Sequence, residues 1–480
     1  MIFKKITSLF TLDIRALSIM RILLGVICLV DLVFFSYSLI NSIIPLEVVI
    51  KDFFTQNYRS IYTISDNMIV YGVLIAVHTA LTISYTLGYK TKYTAPLFWF
   101  FTCSIQWANP LFTNAGSDVA RLLIWWSIFL PINKIYSIDS GWKKAKTQEY
   151  RVSNIATLGI GVQILSIYFF AFFLKTGVEW RNEFSAVYYS LHRSYISSEV
   201  GTWLSQYFTL TQGLTIFTLA LELLGPILYL IFKPRGKIII ALLFILLHVG
   251  FLITMRLWSF PFYCLAGCII LLPTHFRNYI QKKSTSLHKT NLSERFWFTQ
   301  TFVNIALVAI ILYSMMRNIR GIDYAQREKF FPNEINKYGY FLRLDQNRWI
   351  FAPDISHYNG WHQINGLYKN KNEIVNLSSL DQKVYEWKPT LRQIHSILPT
   401  EAWVKFVEYY VTFNDPKGKY SNYFVQYLCH QWNNNHESQE AIKAIQMMYH
   451  YESITLPKEN LSKEPSTIQE KYLGTRNCKN

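Results

Sequence analysis

Charge is scarce in this chain. Asp, Glu, Lys and Arg make up 16% of its 480 residues, against about 25% in an ordinary soluble domain. Acidic residues are scarcest early: residues 1–316 hold 13 of them against 26 Lys plus Arg, and residues 317–480 hold 17 against 21. The short motifs of several enzyme classes are missing. There is no G-x-x-x-x-G-K-[ST] loop to cradle phosphate, no G-x-S-x-G turn to raise a serine and no CxxC pair. Gly159-x-Gly161 lacks the third glycine of a dinucleotide loop and lies inside an apolar run. His436-Glu437 is not followed by the second histidine of H-E-x-x-H. His357 and His362 read as scattered histidines of an exposed loop, and no metal site is predicted. Cysteine is also sparse. Cys28, Cys103, Cys264 and Cys268 sit in apolar runs, where a thiol packs as a small hydrophobe. Cys429 and Cys478 share the last segment and are candidates for a disulfide.

What the chain has is apolar residues, 51% of the total with 17% aromatic, gathered into long runs. Nine spans are predicted, at roughly 14–40, 68–88, 94–112, 118–136, 155–176, 208–232, 237–257, 260–275 and 297–316. Most reach the roughly 17–25 residues that cross about 30 Å of hydrocarbon. The third and eighth are marginal, and the eighth is short enough to be re-entrant. Core helices of a soluble protein would show a polar face, and Ile238–Gly250 shows none. With the N-terminus inside, the inner segments carry 18 Lys and Arg and the outer ones before residue 317 carry 7. This asymmetry obeys the positive-inside rule. It accounts for the formal charge of +17 without nucleic acid. Lys4 and Lys5 precede an apolar run, but Asp13 and Arg15 interrupt it and no A-x-A site follows, so an uncleaved first helix is expected.

The expected architecture is an all-α polytopic membrane bundle (residues 1–316) in the cell membrane, then a small α+β extracytoplasmic domain (317–456) and a polar, flexible tail (457–480). In the last segment Trp361–Tyr368 partly alternates, Lys369–Asn372 is turn-like and Glu373–Leu377 returns, which reads as a hairpin. Ile445, Met447, Tyr449 and Tyr451 share one strand face. Helices are expected at about 391–412 and 420–436, separated by the breaker Asn414–Gly418. The Asn-Leu-Ser triplets at Asn376 and Asn460 match the glycosylation pattern, which arises readily by chance.

Ionisable groups inside hydrocarbon are expensive unless paired or hydrated, so each is a functional candidate. Asp118 and Arg121 stand i, i+3 and can meet on one helix face, as a lock at the membrane edge or as substrate ligands. Arg21 and Asp31 are about 15 Å apart along a helix and must find partners elsewhere. Glu222 and His248 fall near the middles of two antiparallel neighbours and are within reach of each other, either as a proton-carrying pair or as a packing hydrogen bond. Lys175 follows the aromatic run Tyr168–Leu174 at the outer end of the fifth span and precedes Glu179 and Trp180. It is either a lysine snorkelling to the interface beside an aromatic belt or a desolvated amine able to act as a base. Glu179 would favour the charged form.

The ordered set Asp13-x-Arg15-x-Leu17, Arg21, Gly25 and Asp31 resembles the opening of the horizontally transferred transmembrane (HTTM) domain family, which is similar to vitamin K-dependent gamma-carboxylase. Asn109-Pro110, Gly116–Asp118, Arg121, Phe129–Pro131, Ser137–Asp139, Tyr168–Trp180, Glu222 and His248 continue the likeness. Gln346–Asp354 with Gly360-Trp361 looks like the family's post-membrane signature. In the carboxylase a lysine five residues before a tryptophan is the base, so the resemblance implies that role for Lys175, five before Trp180. It also implies catalytic His248, substrate-binding Trp180 and Glu222, and a structural polar network of Asp13, Arg15, Arg21, Asp31, Asp118 and Arg121. The implied chemistry uses a reduced quinone resembling vitamin K hydroquinone, oxygen and carbon dioxide. A neutral lysine deprotonates the hydroquinone, and the alkoxide formed with oxygen removes a γ proton from a glutamate side chain, which takes up carbon dioxide. A low-dielectric site suits it, because water would quench the reactive species. This chain departs from the carboxylase in the apolar stretch Val249–Met255, in Glu183 where the carboxylase has glycine, and in a shorter C-terminal region. These departures bear on recognition of a glutamate substrate.

Three readings remain open. One is a carboxylase-like lyase acting on an exported peptide. Another is a non-catalytic membrane partner for the maturation or export of a secreted protein or peptide. A transporter would use Glu222 and His248, though no inverted repeat is visible. Membrane lipid is the partner common to all three.

Overall fold

The computed structural model describes residues 7–40, 60–65, 67–108, 113–142, 151–273, 300–322, 333–346, 351–377, 389–397, 401–415, 418–457 and 467–478. Lys4, Lys5, the basic stretches 143–146 and 277–295, Asn109-Pro110, Trp349 and Asn460 lie outside them. A two-residue strand β1 (Leu12–Asp13) leads into α1 (Ile14–Ile40), α2 (Met68–Leu87), α3 (Thr91–Ala108) and α4 (Ala115–Ser127). Strand β2 (Arg151–Val152) pairs antiparallel with β1 and opens α5 (Ile155–Leu174). Short helices α6 (Val178–Arg181), α7 (Ala186–His192) and α8 (Glu199–Leu204) precede α9 (Phe208–Ile231), α10 (Pro234–Thr254), α11 (Phe260–Cys268), α12 (Gln300–Ile322) and α13 (Asn333–Phe341).

Among the described residues six helices, α1, α2, α5, α9, α10 and α12, are long and apolar enough to cross a membrane. Their outward faces carry exposed apolar residues such as Val33, Ile69, Ile239, Leu246 and Ile305, a surface suited to lipid. On α10 the buried side chains Ile240, Phe244 and His248 recur every four residues, one stripe turned toward the bundle. Small residues let helices close where hydrocarbon gives no hydrophobic drive. A Cβ on Gly25 would collide with Thr86 Oγ1 on α2.

Nine spans are not confirmed among the described residues. Helix α3 has 18 residues but not the apolar content of a span. The expected 118–136 span is α4 alone, 13 residues, about 20 Å of rise. Ile128 onward leaves the helix, and Pro131 removes an amide donor there. The apolar residues Leu130, Ile132 and Ile135 fill the core from a turn instead. Arg21 donates to the turn's Ile132 (2.8 Å) and Tyr136 carbonyls. Helix α11 has nine residues, about 14 Å. The starts of α4 and α11 touch: a Cβ on Gly116 would lie 2.8 Å from Phe260 Cα. Ala115, Asp118, Val119 and Leu122 of α4 and Phe260 of α11 line a cavity, and irregular backbone in a membrane bundle is tolerated beside such a space.

The C-terminal region holds a four-stranded antiparallel sheet in the order β4-β3-β5-β6, from β3 (Tyr358–Tyr368), β4 (Ile374–Asn376), β5 (Ile442–Ser453) and β6 (Gln469–Asn477). Helices α14 (Leu391–Ile397), α15 (Glu401–Val404, continuing as a π-helix over Lys405–Phe413) and α16 (Lys419–Asn435) fall between β4 and β5. The 361–377 hairpin forms, with Trp361 opposite His450 across β3 and β5. Gly418, at φ 72°, ends the breaker before α16. Asn376 is buried in β4, which leaves its amide little access to a glycan. The expectation of a frayed tail from 457 is corrected for 469–477. An edge strand needs backbone pairing, not apolar side chains, so the polar Gln469-Glu-Lys-Tyr-Leu-Gly-Thr-Arg-Asn477 pairs with β5 while staying largely exposed.

Cys478 follows β6 directly and is bonded to Cys429 of α16, closing a loop of sequence separation 49. Opening it with Cys478→Ser should cost about 2–4 kcal/mol. Urea unfolding with and without reductant should show the wild type, but not the variant, weakened by reduction.

His362 of β3 is buried between Tyr195 and Thr412, its Nε2 2.7 Å from Thr412 Oγ1. Burial, with His450 as a smaller cause, pushes its pKa down to about 3. In the unfolded chain histidine titrates near about 6.5, so below that pH the unfolded form binds a proton that the folded form refuses. Stability should fall from pH 6.5 toward 3, by at most about 1.4 kcal/mol per pH unit from this group, and be flat above. Unfolding midpoints between pH 8 and 4.5 should slope less in His362→Gln; equal slopes would refute the assignment.

Candidate functional site

Helix α5 sets the geometry. A capping box between Asn154 and Thr157 fixes its start. From there Gln163, Ile167, Ala171 and Lys175 recur every four residues and line one chamber together with Tyr168. The stripe runs about 18 Å along the axis. Opposite it stand Thr218 and Glu222 of α9 and Leu247, His248 and Phe251 of α10. Ala115, Asp118, Val119 and Leu122 of α4, with Met255 and Phe260, close one side. Trp180, Gln346 and Phe351 close another. The walls are mainly apolar.

Lys175 is the residue that ends α5, with φ −84° and ψ 83°. It does not snorkel. Its side chain is buried, and Nζ pairs with the Glu222 carboxylate and lies 4.8 Å from the centre of the Trp180 ring. Trp180 is held in turn by Nε1 donating to Phe351 O at 2.9 Å, and Gly177 N donates to Pro353 O at 3.0 Å. These bonds fasten the 351–353 segment to the rim of the chamber. Glu179, expected to bear on Lys175, turns instead to His357 Nε2 at 2.5 Å. His357 stacks on Tyr189, ring centres 4.2 Å apart.

The expected Glu222–His248 pair is corrected. Both side chains reach the chamber, but Lys175 takes Glu222, while His248 Nε2 lies 2.8 Å from Tyr168 OH. Tyr168 OH is also 3.0 Å from Cys268 Sγ, and its ring stacks on Phe244 at 3.9 Å. A carboxylate beside an ammonium in a low-dielectric space has a far stronger attraction than a carboxylate beside a neutral imidazole. Two buried atoms in this group, Glu222 Oε2 and His248 Nδ1, have no hydrogen-bond partner among the described residues.

The remaining polar candidates form separate locks. Arg15 Nη2 meets Asp13 Oδ2 at 2.6 Å beside the β1–β2 pair. Asp31 accepts from Trp258 Nε1 (2.9 Å) and Tyr263 OH (2.7 Å), not from Arg21. Arg121 meets Asp118 at 3.0 Å, and also Asp345 at 3.3 Å and Gln106 at 3.0 Å. Of the network only Asp118 touches the chamber. Among the described residues no three His, Cys, Asp or Glu side chains gather as metal ligands.

Sequence reasoning missed Gln163, whose Nε2 donates to Gln346 Oε1 at 2.9 Å, and the part played by Tyr168. Gln163 stands twelve residues before Lys175 on the same face. A search for every polar group in the spans, rather than for ionisable groups alone, would have found it.

The HTTM domain model matches residues 10–276, from just before β1 to the end of the bundle's short α11 region. No curated protein matches this chain, and no solved structure does. The match takes in Lys175, Trp180, Glu222 and His248 and covers more than half of the sequence: the chain belongs to the HTTM domain family, the one found in vitamin K-dependent gamma-carboxylase.

Proposed function

We propose that this multi-pass membrane protein is a quinone-dependent, carboxylase-like enzyme that acts on an exported peptide, with Lys175 as its base. The observation that carries the reading is the Lys175–Glu222 pair, buried in a mainly apolar chamber beside the unpartnered Glu222 Oε2 and His248 Nδ1. A buried ion pair is costly and adds little stability over apolar packing, so its presence in a cavity points toward chemistry.

A reduced quinone suits the residues present. Ile167, Leu247 and Phe251 offer apolar walls to its rings, and Glu222 Oε2 and His248 Nδ1 offer polar contacts to a hydroxyl. When bound, its oxidation by oxygen would supply the free energy for the strong base that carboxylation of a carbon acid requires. The chain's own residues do the rest. Lys175 Nζ accepts the hydroxyl proton. Glu222 holds Nζ in place, Tyr168 orients His248 through Nε2, and Trp180 with Phe351 keeps water from the site.

We further propose that the N-terminus is cytoplasmic and that the region after about residue 316, now including β6, is extracytoplasmic. The Cys429–Cys478 disulfide supports this, since such bonds persist in oxidising compartments. The test is direct. Purified protein given reduced 2-methyl-1,4-naphthoquinone should consume oxygen or fix labelled bicarbonate into added glutamate-bearing peptide, and Lys175→Ala should not. Identical rates in both would end the proposal.

A second reading, a non-catalytic partner for an exported polypeptide, is favoured by a polar groove beside α7. Tyr188, His192, Asn359 and Glu452 line it. Crosslinking to one exported protein that survives Lys175→Ala would support that reading.

A further inference from the structure

One carboxylate oxygen at the chamber rim takes no part in the chemistry proposed for Lys175. Glu179 stands one residue before Trp180 in α6 and is 5% exposed. Its Oε1 meets His357 Nε2 at 2.5 Å, while its Oε2 is buried with no hydrogen-bond partner among the described residues. That second oxygen has company. The point where a Cβ on Gly177 would fall has Glu179 Oε2 against it, Asp354 Oδ1 at 2.6 Å and Pro353 O at 3.0 Å. Gly177 has φ −59° and ψ 159°, which any residue adopts, so glycine is needed here for space and not for its backbone. The two carboxylate oxygens are no more than about 5 Å apart, a gap that two calcium–oxygen bonds of about 2.3–2.6 Å span. Among the described residues neither carboxylate forms an ion pair with a Lys or Arg.

We propose that Glu179, Asp354 and the Pro353 carbonyl form a binding site for a calcium ion at the rim of the chamber. Calcium is a hard cation that takes carboxylate, main-chain carbonyl and water oxygens in flexible geometry, and these are the donors gathered here. Two carboxylates facing one gap repel each other, and a divalent ion between them turns that repulsion into attraction. Pro353 O already accepts from Gly177 N at 3.0 Å, and a carbonyl oxygen has a second lone pair for the ion. Asp354 is exposed, so the ion enters from solvent and keeps water on its open side, while Glu179 Oε2 anchors it from within. His357 stays on Oε1 and is not a ligand, so the site uses two ionisable side chains and no more. Few protein oxygens, and a place on the side proposed above to be extracytoplasmic, set it among the weak calcium sites, with a dissociation constant of about 10⁻⁴–10⁻³ M. The ion joins α6 to the 353–354 segment. It adds a third fastening to the two already holding this segment over the chamber, Trp180 Nε1 to Phe351 O and Gly177 N to Pro353 O.

The test uses the full chain in detergent, stripped with EGTA and then titrated with calcium chloride. Equilibrium dialysis with labelled calcium should show a saturable ion in this affinity range. Asp354→Asn, a surface change, should weaken its binding about tenfold or more and leave the unfolding temperature in EGTA where it was. Gly177→Ala, whose methyl falls among the three oxygens, should weaken binding as well. In the wild type calcium should slow hydrogen–deuterium exchange of the 351–357 backbone, and magnesium at equal concentration should not. The proposal is overturned by absence of saturable binding up to about 10 mM, or by equal binding in the wild type and Asp354→Asn, which puts the ion on other carboxylates. It is also overturned by exchange that calcium leaves unchanged, or that magnesium slows equally through general charge screening. No readout here involves turnover, so loss of the enzyme reading leaves the calcium site standing, and loss of the site leaves the enzyme reading as it was.

Discussion

Lys175→Ala should lower naphthoquinol-dependent oxygen uptake by at least about 100-fold, within the 10²–10⁴-fold range that a positioned base contributes. Alanine at this position also leaves Glu222 as a buried carboxylate without its closest cation, and breaking such a pair costs about 3–5 kcal/mol. A dead Lys175→Ala could therefore be an unfolded one. The double variant Lys175→Met/Glu222→Leu separates the two effects. Replacing both charges by apolar groups of similar size is often neutral or stabilising, so this protein should unfold in detergent at or above the wild-type temperature and still show no activity. A stable double variant that retains uptake would remove Lys175 from the chemistry.

Arg121→Leu should produce the largest loss of stability, about 3–5 kcal/mol. The guanidinium is 1% exposed and serves five groups. It pairs with Asp118 and Asp345, donates to the Arg343 and Asp345 carbonyls, and holds Gln106 Oε1, which Arg343 also reaches at 2.9 Å. Removing it takes the nearest cation from both carboxylates, leaving Asp345 only Arg343 at 3.9 Å. Arg121→Lys should lose less, since it keeps the charge but not the planar fork. Adding Asp118→Asn to Arg121→Leu should recover stability, because one of the stranded charges is gone. Thermal unfolding in detergent measures all four proteins. A cost below about 1 kcal/mol for Arg121→Leu would mean that water reaches the network. Gln346 follows this lock by one residue and lines the chamber, so partial loss of the lock should also weaken activity by displacing Gln346 from Gln163.

The sequence by itself pointed to the membrane class, because several long runs such as Ile238–Gly250 lack the polar face that core helices of a soluble protein show. It also picked out Lys175, Glu222 and His248, since polar groups stand out against apolar helices, and Trp180 through the resemblance to the carboxylase; period-two alternation marked the 361–377 hairpin and the strand face of Ile445 and Met447. Tertiary structure decided the rest. Apolarity does not separate a spanning helix from a core-filling turn, so 128–136 passed for membrane and only its packing around Arg21 shows otherwise. Edge pairing uses backbone alone, so β6 left no mark in its side chains. Partner choice depends on which atoms stand within about 3 Å, and spacing along separate helices carries no such information. That is why the expected partner of Glu222 is His248 when Lys175 holds it.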